Sequence, residues 1–111
     1  MYTYQAEVIK VYDGDTITVN FDLGLFCHLQ KQTIRLYGIN APEVRGDQRE
    51  SGLVSKLALS NRILGKTITI KTYKDKRGKF GRWLGTLWDD PEAGSINDWM
   101  VLSGYAEYKE Y

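Results

Sequence analysis

The chain has 111 residues, 42% of them hydrophobic, which suits one compact domain with a modest core and leaves no room for a second. Its 15 basic and 14 acidic residues give a net charge of +1, so binding to nucleic acid would need a local basic patch rather than a global positive field. The single cysteine, Cys27, excludes an internal disulfide and cannot build a structural zinc site by itself.

The sequence begins with a predicted β-hairpin whose turn carries two acids. Residues 6–11 and 16–21 are short, β-branched and largely alternating, which favours two antiparallel strands. The turn between them contains Asp13-Gly14-Asp15, a combination that is also common in ordinary turns. The hairpin therefore places two carboxylates at one end of the predicted sheet.

An irregular connection and a third strand are predicted next. Residues 23–30 contain Gly24 and are predicted to form an irregular connection. Residues 33–37 form a third strand in which apolar residues flank Arg35. Because its neighbours are apolar, Arg35 is not expected to be merely a solvated surface charge.

A helix is predicted from about Gln48 to Leu64, ending at Gly65, where a left-handed cap is favoured. Its apolar stripe is expected to face the core. The stripe consists of Leu53, Val54, Leu57, Ala58 and Leu64.

Two more strands and a short helix complete the predicted elements. Strands over residues 67–73 and 83–88 are joined by a basic loop, and Ser95 is expected to cap a helix that runs up to Gly104. Five strands with one helix between the third and the fourth match the order of an OB-fold. The predicted fold is therefore a mainly β, α+β domain built on a five-stranded Greek-key barrel.

The basic loop is a candidate track for nucleic acid. Its candidate binding residues are Lys71, Lys74, Lys76, Arg77, Lys79 and Phe80. A solvated loop explains this composition about as well. In the functional interpretation, lysines hold backbone phosphates and an aromatic ring stacks on a base without sequence preference, which favours single-stranded or frayed substrates.

Three blocks of the sequence resemble the staphylococcal (micrococcal) nuclease family. The blocks are Val11-Tyr12-Asp13-Gly14-Asp15-Thr16, Ile34-Arg35-Leu36 running to Ala41-Pro42-Glu43, and Gly78-Lys79-Phe80-Gly81-Arg82. They stand in the family's order, and the likeness covers residues 6–107. The resemblance implies an OB-fold and a calcium-dependent nuclease that hydrolyses DNA and RNA and leaves 3′-phosphate ends.

The resemblance also implies a site for one calcium ion. Asp15 would be a ligand, together with the side-chain oxygen of Asn40 and the main chain around Ala41. Asn40 stands where the best-known members have an aspartate, so weaker calcium binding or an altered metal preference is expected. Asp13 is a further candidate, which either caps the turn or holds water in the outer shell of the metal.

The catalytic residues implied by the resemblance are two arginines and a glutamate. Arg35 and Arg82 would contact the scissile phosphate, because a guanidinium fork can stabilise charge that builds on the phosphate oxygens. Glu43 would activate or orient the attacking water, and it follows Pro42, which stiffens the loop.

Two functional classes remain open: a metal-dependent nuclease, and a weakly active or inactive nuclease-like module that binds nucleic acid or a protein partner. One domain over residues 1–111 is expected, without the family's last C-terminal helix, as a monomer with a homodimer as the alternative. The sequence has no apolar run of the ~20 residues that cross a bilayer and no signal segment at its start. A cytoplasmic protein is therefore expected, or a secreted one if a leader has been removed.

Overall fold

A closed five-stranded barrel forms the centre of the computed structural model, which describes residues 2–44, 46–73, 82–90 and 92–109. The side chains of Tyr2, Gln48 and Arg82 lie outside this description. The strands are β1 (Tyr2–Asp13), β2 (Thr16–Gly24), β3 (Cys27–Leu36), β4 (Ile39–Asn40), β5 (Thr67–Tyr73), β6 (Arg82–Trp88) and β7 (Glu107–Tyr108). The helices are α1 (Arg49–Ile63), which follows a 3-10 turn at Gly46–Gln48, and α2 (Ile96–Leu102).

The barrel strands are arranged in the order β1-β2-β3-β6-β5, and β5 returns to β1. The β3–β6 pair is parallel, whereas the other neighbours are antiparallel. Buried aliphatic side chains such as Ile17, Ile34 and Ile70 fill its interior. The prediction of a mainly β domain with an OB-fold barrel, and of a helix between the third and fourth barrel strands, is confirmed.

The predicted irregular connection over residues 23–30 is wrong. Strands β2 and β3 continue through this region and meet in a tight turn, in which Gly24 pairs with Cys27. Leu25 and Phe26 occupy the turn with φ angles of 54° and 62°. Such two-residue turns usually carry Asn-Gly or Gly-Gly, so the Leu-Phe pair gave no turn signal. Their side chains are 96% and 100% exposed at the tip of the hairpin.

The predicted core stripe of α1 is also wrong. The buried residues of the helix are Gly52, Ser55, Leu59 and Ile63. The predicted stripe contains the exposed side chains Leu53, Val54, Leu57 and Leu64. In its first turns the helix approaches the barrel through small residues. The stripe was predicted from apolar positions alone, so these small or polar residues were not counted.

Helix α2 forms as predicted and begins at the Ser95 cap, whose Oγ accepts a hydrogen bond from the Asp98 N–H at 3.1 Å. Its buried Asn97 joins it to the barrel: the Leu87 N–H donates to the Asn97 Oδ1 at 3.0 Å, and the Asn97 Nδ2 donates to the Tyr37 carbonyl at 2.8 Å. Neither helix within the described ranges has the length and apolar sequence needed to cross a membrane.

The corrected orientation of α1 can be tested by comparing two leucines on opposite sides of the helix. Leu59→Ala removes a fully buried side chain and should lower the free energy of unfolding by about 2–5 kcal/mol. Leu57→Ala changes an exposed side chain and should cost less than about 1 kcal/mol. Urea denaturation of both variants measures the difference, and equal losses would contradict the orientation.

Candidate active site

The carboxylate of Asp15 lies at the centre of the candidate site and is only 3% exposed. Its Oδ1 accepts a hydrogen bond from the Thr16 Oγ1 at 3.0 Å, and its Oδ2 accepts one from the Ala41 N–H at 2.9 Å. The Arg35 Nη1 lies 3.3 Å from the same Oδ2. A buried carboxylate needs such partners because burial of an uncompensated charge is costly. Asp15 thereby joins the β1–β2 turn, strand β3 and the segment after β4.

The guanidinium of Arg35 connects two of the predicted metal ligands. Its Nη1 pairs with Asp15, and its Nη2 donates a hydrogen bond to the Asn40 Oδ1 at 3.0 Å. The Arg35 side chain is 14% exposed, so it is not a plain solvated charge. Oxygen atoms from two segments of the chain therefore meet at one cationic group.

Asp13 lies on the other side of the same turn. The Asp15 N–H donates to the Asp13 Oδ1 at 3.1 Å, as expected for a carboxylate that caps its own turn. The pKa of Asp13 is raised from 3.8 to about 6, mainly by burial and also by a side-chain hydrogen bond with Asp15 and repulsion from its charge. Asp13 therefore binds a proton more readily than an ordinary aspartate.

The turn between the two acids packs closely against its neighbours and needs a glycine. A Cβ atom at Gly14 would lie 2.7 Å from the Ser55 Cβ and 2.8 Å from the Ala41 Cβ. Only a residue without a side chain permits this approach. The acidic turn is consequently held against both helix α1 and the segment that follows β4.

Glu43 is exposed on the loop between β4 and the 3-10 turn. The loop is positioned by α1, because a Cβ atom at Gly52 would overlap the Glu43 carbonyl and lie 2.8 Å from the Val44 N. A cavity of about 290 Å³ lies beside this loop. Its lining residues are Lys10, Tyr12, Asp13, Glu43, Val44 and Lys56. Two carboxylates thus share a space large enough for several water molecules.

Strand β4 is held from the other side by β7, a pairing that the sequence did not predict. Asn40 is the register partner of Glu107, and the Lys109 N–H donates to the Gly38 carbonyl at 2.8 Å. The Ser55 Oγ donates to the Tyr105 carbonyl at 2.6 Å, which also ties this segment to α1. The main chain of Asn40 is therefore part of a small sheet, not of a free loop.

The donor atoms have the chemistry that calcium requires. Calcium binds carboxylate, amide and main-chain oxygens together, and the side-chain oxygens of Asp15 and Asn40 converge on one position, now taken by the Arg35 guanidinium. No group of three or more His, Cys, Asp or Glu side chains forms a metal cluster among the described residues. The residues fit a calcium ion by donor type, with less negative charge than an aspartate at position 40 would supply.

The remaining predicted residues lie partly outside the described ranges. Arg82 begins β6 and is the register partner of Thr33, which places its main chain next to the strand of Arg35. Lys71 lies on β5, with its Nζ 5.7 Å from the centre of the Tyr73 ring. The predicted nucleic-acid-binding residues outside the described part of the chain are Lys74, Lys76, Arg77, Lys79 and Phe80.

Three residues that support the site were missed in the sequence. Gly52 and Asn97 act through close packing and buried hydrogen bonds, and neither carries a signal in a single sequence. The third is Tyr37, whose position two residues after Arg35 could have drawn attention to it, since alternate residues of a strand lie on one face.

Comparisons with known proteins identify a family and two relatives. The family described as staphylococcal nuclease homologue matches residues 33–111. Protein ParB of Escherichia coli is 30% identical over 109 residues, which covers 92% of this chain and 55% of that protein. An uncharacterized protein of Bacillus anthracis is 31% identical over 107 residues, which covers 93% of this chain and 46% of that protein. The chain therefore spans about half the length of the curated relatives it matches.

The contact between α1 and the Glu43 loop can be tested with two glycines. Gly52→Ala should displace the loop and lower the free energy of unfolding by about 1–3 kcal/mol, because its new methyl group meets main-chain atoms. Gly94→Ala is the matched control, since nothing lies within 4 Å of its added Cβ, and it should change stability by less than about 0.5 kcal/mol. The rate of hydrogen exchange at the Val44 amide would show whether the loop is displaced. An unchanged exchange rate and unchanged stability in Gly52→Ala would refute the contact.

The environment of Asp13 predicts a pH dependence of stability in metal-free protein. Its folded-state pKa of about 6 lies above the ordinary value of 3.8, so the folded state binds this proton more tightly. The resulting stabilisation is complete below pH 3.8 and is lost as pH rises through about 6. Asp13→Asn should remove this dependence and increase stability at neutral pH. The check is to measure the free energy of unfolding of Asp13→Asn and of wild type in chelator across this pH range. If both proteins show the same dependence of stability on pH, the prediction is wrong.

Proposed function

The chain belongs to the staphylococcal nuclease family, and we propose on that basis that it is a calcium-dependent nuclease that hydrolyses phosphodiester bonds in DNA and RNA, leaving 3′-phosphate ends. One observation carries this proposal. The acidic turn, strand β3 and the segment after β4 meet through the contacts of Asp15 with Arg35 and Ala41. Three separate segments thus bring a carboxylate, a guanidinium and a main-chain N–H to one place.

Arg35 is suited to bind the phosphate whose bond is cleaved. A guanidinium presents its N–H donors in a planar fork that matches two phosphate oxygens. The contacts with Asp15 and Asn40 hold Arg35 at the site, and its N–H donors would turn to the phosphate oxygens when calcium takes those two side chains. Arg82 is proposed to supply the second fork from the start of β6.

Glu43 is proposed as the base that removes a proton from the attacking water. Glu43 lines the 290 Å³ cavity, which offers room for water next to Asp13. The contact of Gly52 with the Glu43 main chain and the fixed φ of Pro42 restrict the loop. A restricted loop keeps the base within reach of the water rather than sampling solvent.

Calcium would be held by Asp15, the side-chain oxygen of Asn40 and the main chain around Ala41. When bound, the ion neutralises phosphate charge and makes a bound water more acidic. Arg35 contacts both side chains in the present structure, so the guanidinium and the ion would compete for the same oxygen atoms. Asn40 supplies no formal charge, from which we expect weaker calcium binding or a different metal preference.

A second function has support from the same observation. Asp15 is the one predicted ligand whose side chain is charged and buried, and Arg35 already neutralises it. A metal position with so little net negative charge would suit a nuclease-like module that binds nucleic acid or a protein partner and cuts slowly or not at all. Cleavage assays separate the two functions directly.

The proposed substrates are single-stranded or frayed nucleic acids. Lysines of the basic loop would follow the phosphates of the strand, with Lys71 at the edge of the described part and Lys74 and Lys76 beyond it. A monomer in the cytoplasm is proposed, with a homodimer as the alternative. Because the matched relatives are about twice as long, these proposals concern this chain alone.

The proposed activity predicts calcium-dependent cutting of an end-labelled single-stranded oligonucleotide that stops in chelator and leaves 3′-phosphate ends. Glu43→Gln should lower the rate at least about 100-fold, the usual range for loss of a general base, while oligonucleotide affinity stays nearly unchanged. Glu43 is exposed, so the substitution should not impair folding.

Two controls make the assay decisive. Arg35→Ala should abolish cutting, which excludes a contaminating nuclease. Combined removal of charge at Lys74 and Lys76 should mainly weaken binding and reduce its salt dependence. Binding without cutting in calcium and in magnesium would reject the enzyme and favour the binding module.

A further inference from the structure

The asparagine at the proposed metal position faces a glutamate across the small sheet of β4 and β7. Asn40 and Glu107 are register partners, and the two strands run antiparallel. The Lys109 N–H donates to the Gly38 carbonyl, which makes those two residues a hydrogen-bonded pair. Pair types alternate along antiparallel strands, so Asn40 and Glu107, two residues further on, form the same type of pair, in which Cα atoms lie about 5.5 Å apart.

The side chain of Glu107 projects to the side of this sheet that carries the candidate site. Register partners project to the same side, and Asn40 accepts its hydrogen bond from the Arg35 Nη2 on that side. Tyr108, the next residue in the chain, projects to the opposite side, and its hydroxyl donates to the Asp98 Oδ1 of α2 at 3.3 Å. The contact of Tyr108 with α2 agrees with an orientation of Glu107 toward Arg35 and Asn40.

A cavity beside this pair gives the carboxylate room to approach the metal position. The cavity has a volume of about 180 Å³, and Asn40, Ala41 and Glu107 contribute to its lining. A space of this size holds several water molecules. Glu107 is exposed, so its side chain can change rotamer in response to an ion without any change in the main chain.

The proposed ligands leave the metal position short of negative charge. Asn40 offers a neutral amide oxygen, and the charge of Asp15 is already balanced by the Arg35 guanidinium 3.3 Å away. Calcium affinity rises with the number of charged ligands. Groups that surround the direct ligands also matter, since their removal typically lowers metal affinity by about 10–100-fold. A carboxylate opposite Asn40 is therefore placed where the site lacks charge.

We propose that Glu107 supplies, through water in this cavity, the negative charge that Asn40 lacks at the metal position. This inference rests on the proposed function, because it assigns a further residue to the same calcium site. In this arrangement β4 provides a neutral oxygen and β7 provides the charge. The two strands form one pair, so the metal position depends on the sheet as a unit.

Calorimetric titration of the chain with calcium, without nucleic acid, measures the affinity directly. Glu107→Gln keeps the size of the side chain and removes its charge, so it should weaken calcium binding about tenfold or more. Asn40→Asp, added to Glu107→Gln, returns a charge to the opposite strand and should restore the affinity to within about threefold of wild type. Loss in the single variant and recovery in the double variant would identify charge as the cause.

Glu7 provides a matched control, because it also faces an asparagine across two antiparallel strands. Its register partner is Asn20, and it lies six residues before Asp13 on β1, about 20 Å from the acidic turn along the strand. Glu7→Gln removes the same charge and should leave the calcium affinity unchanged. Equal losses in Glu7→Gln and Glu107→Gln would assign the effect to net charge and overturn the proposal. Thermal unfolding in chelator would show that the variants are folded.

Cutting assays separate this inference from the function on which it rests. In Glu107→Gln, the calcium concentration for half-maximal cutting should rise by the same factor as the dissociation constant, while the rate at saturating calcium stays near that of wild type. Calcium binding and cutting that Glu107→Gln does not affect would overturn the role of Glu107 and leave the nuclease intact. Calcium binding that depends on Glu107, without cutting, would reject the nuclease alone. A wild type that neither binds calcium nor cuts would reject both.

Discussion

The partners required by one buried carboxylate determine how the site is built. Asp15 sits at the end of a barrel whose interior is aliphatic, where an unpaired charge would be strongly destabilising. It is stabilised by a hydroxyl from Thr16, a main-chain N–H from Ala41 and the guanidinium of Arg35. Thr16 is the next residue in the chain, whereas Arg35 and Ala41 come from strand β3 and from the segment after β4. The fold therefore cannot satisfy this carboxylate without also assembling the candidate active site.

Close packing supports the same arrangement from behind. Gly14 and Gly52 allow main-chain segments to approach where any side chain would collide, and they hold the acidic turn and the Glu43 loop against helix α1. Asn97 attaches α2 to the barrel, because its side-chain amide forms hydrogen bonds with β6 and with the Tyr37 carbonyl. The residues that shape the site are thus small or amide side chains, whereas the residues that would act on substrate are charged.

Local patterns predicted the barrel, the family resemblance supplied the residues of the candidate site, and contacts distant in sequence account for what the patterns missed. Alternation revealed the strands, and the grouping of Asp15 with Arg35 followed from recognisable motifs. The core face of α1 was predicted wrongly because Gly52 is required by its close approach to main-chain atoms. The periodicity of apolar residues does not reveal such a position. The turn at Leu25 and Phe26 was missed because the residue types disfavour the left-handed backbone that they adopt. Local patterns in a single sequence do not show how contacts with distant residues stabilise an unfavourable local conformation.

The pairing of β4 with β7 has a consequence for how the protein is made. Asn40 and its partner Glu107 are separated by most of the chain, with α1, two barrel strands and α2 between them. During synthesis, β4 leaves the ribosome well before β7 exists, and domains form only when their distant segments are available. Nascent chains can complete the first hairpins early, while the strand that aligns Asn40 is made only after α1, β5, β6 and α2. The segment of Asn40, a proposed metal ligand, is therefore aligned only after nearly all of the barrel and both helices have been synthesised.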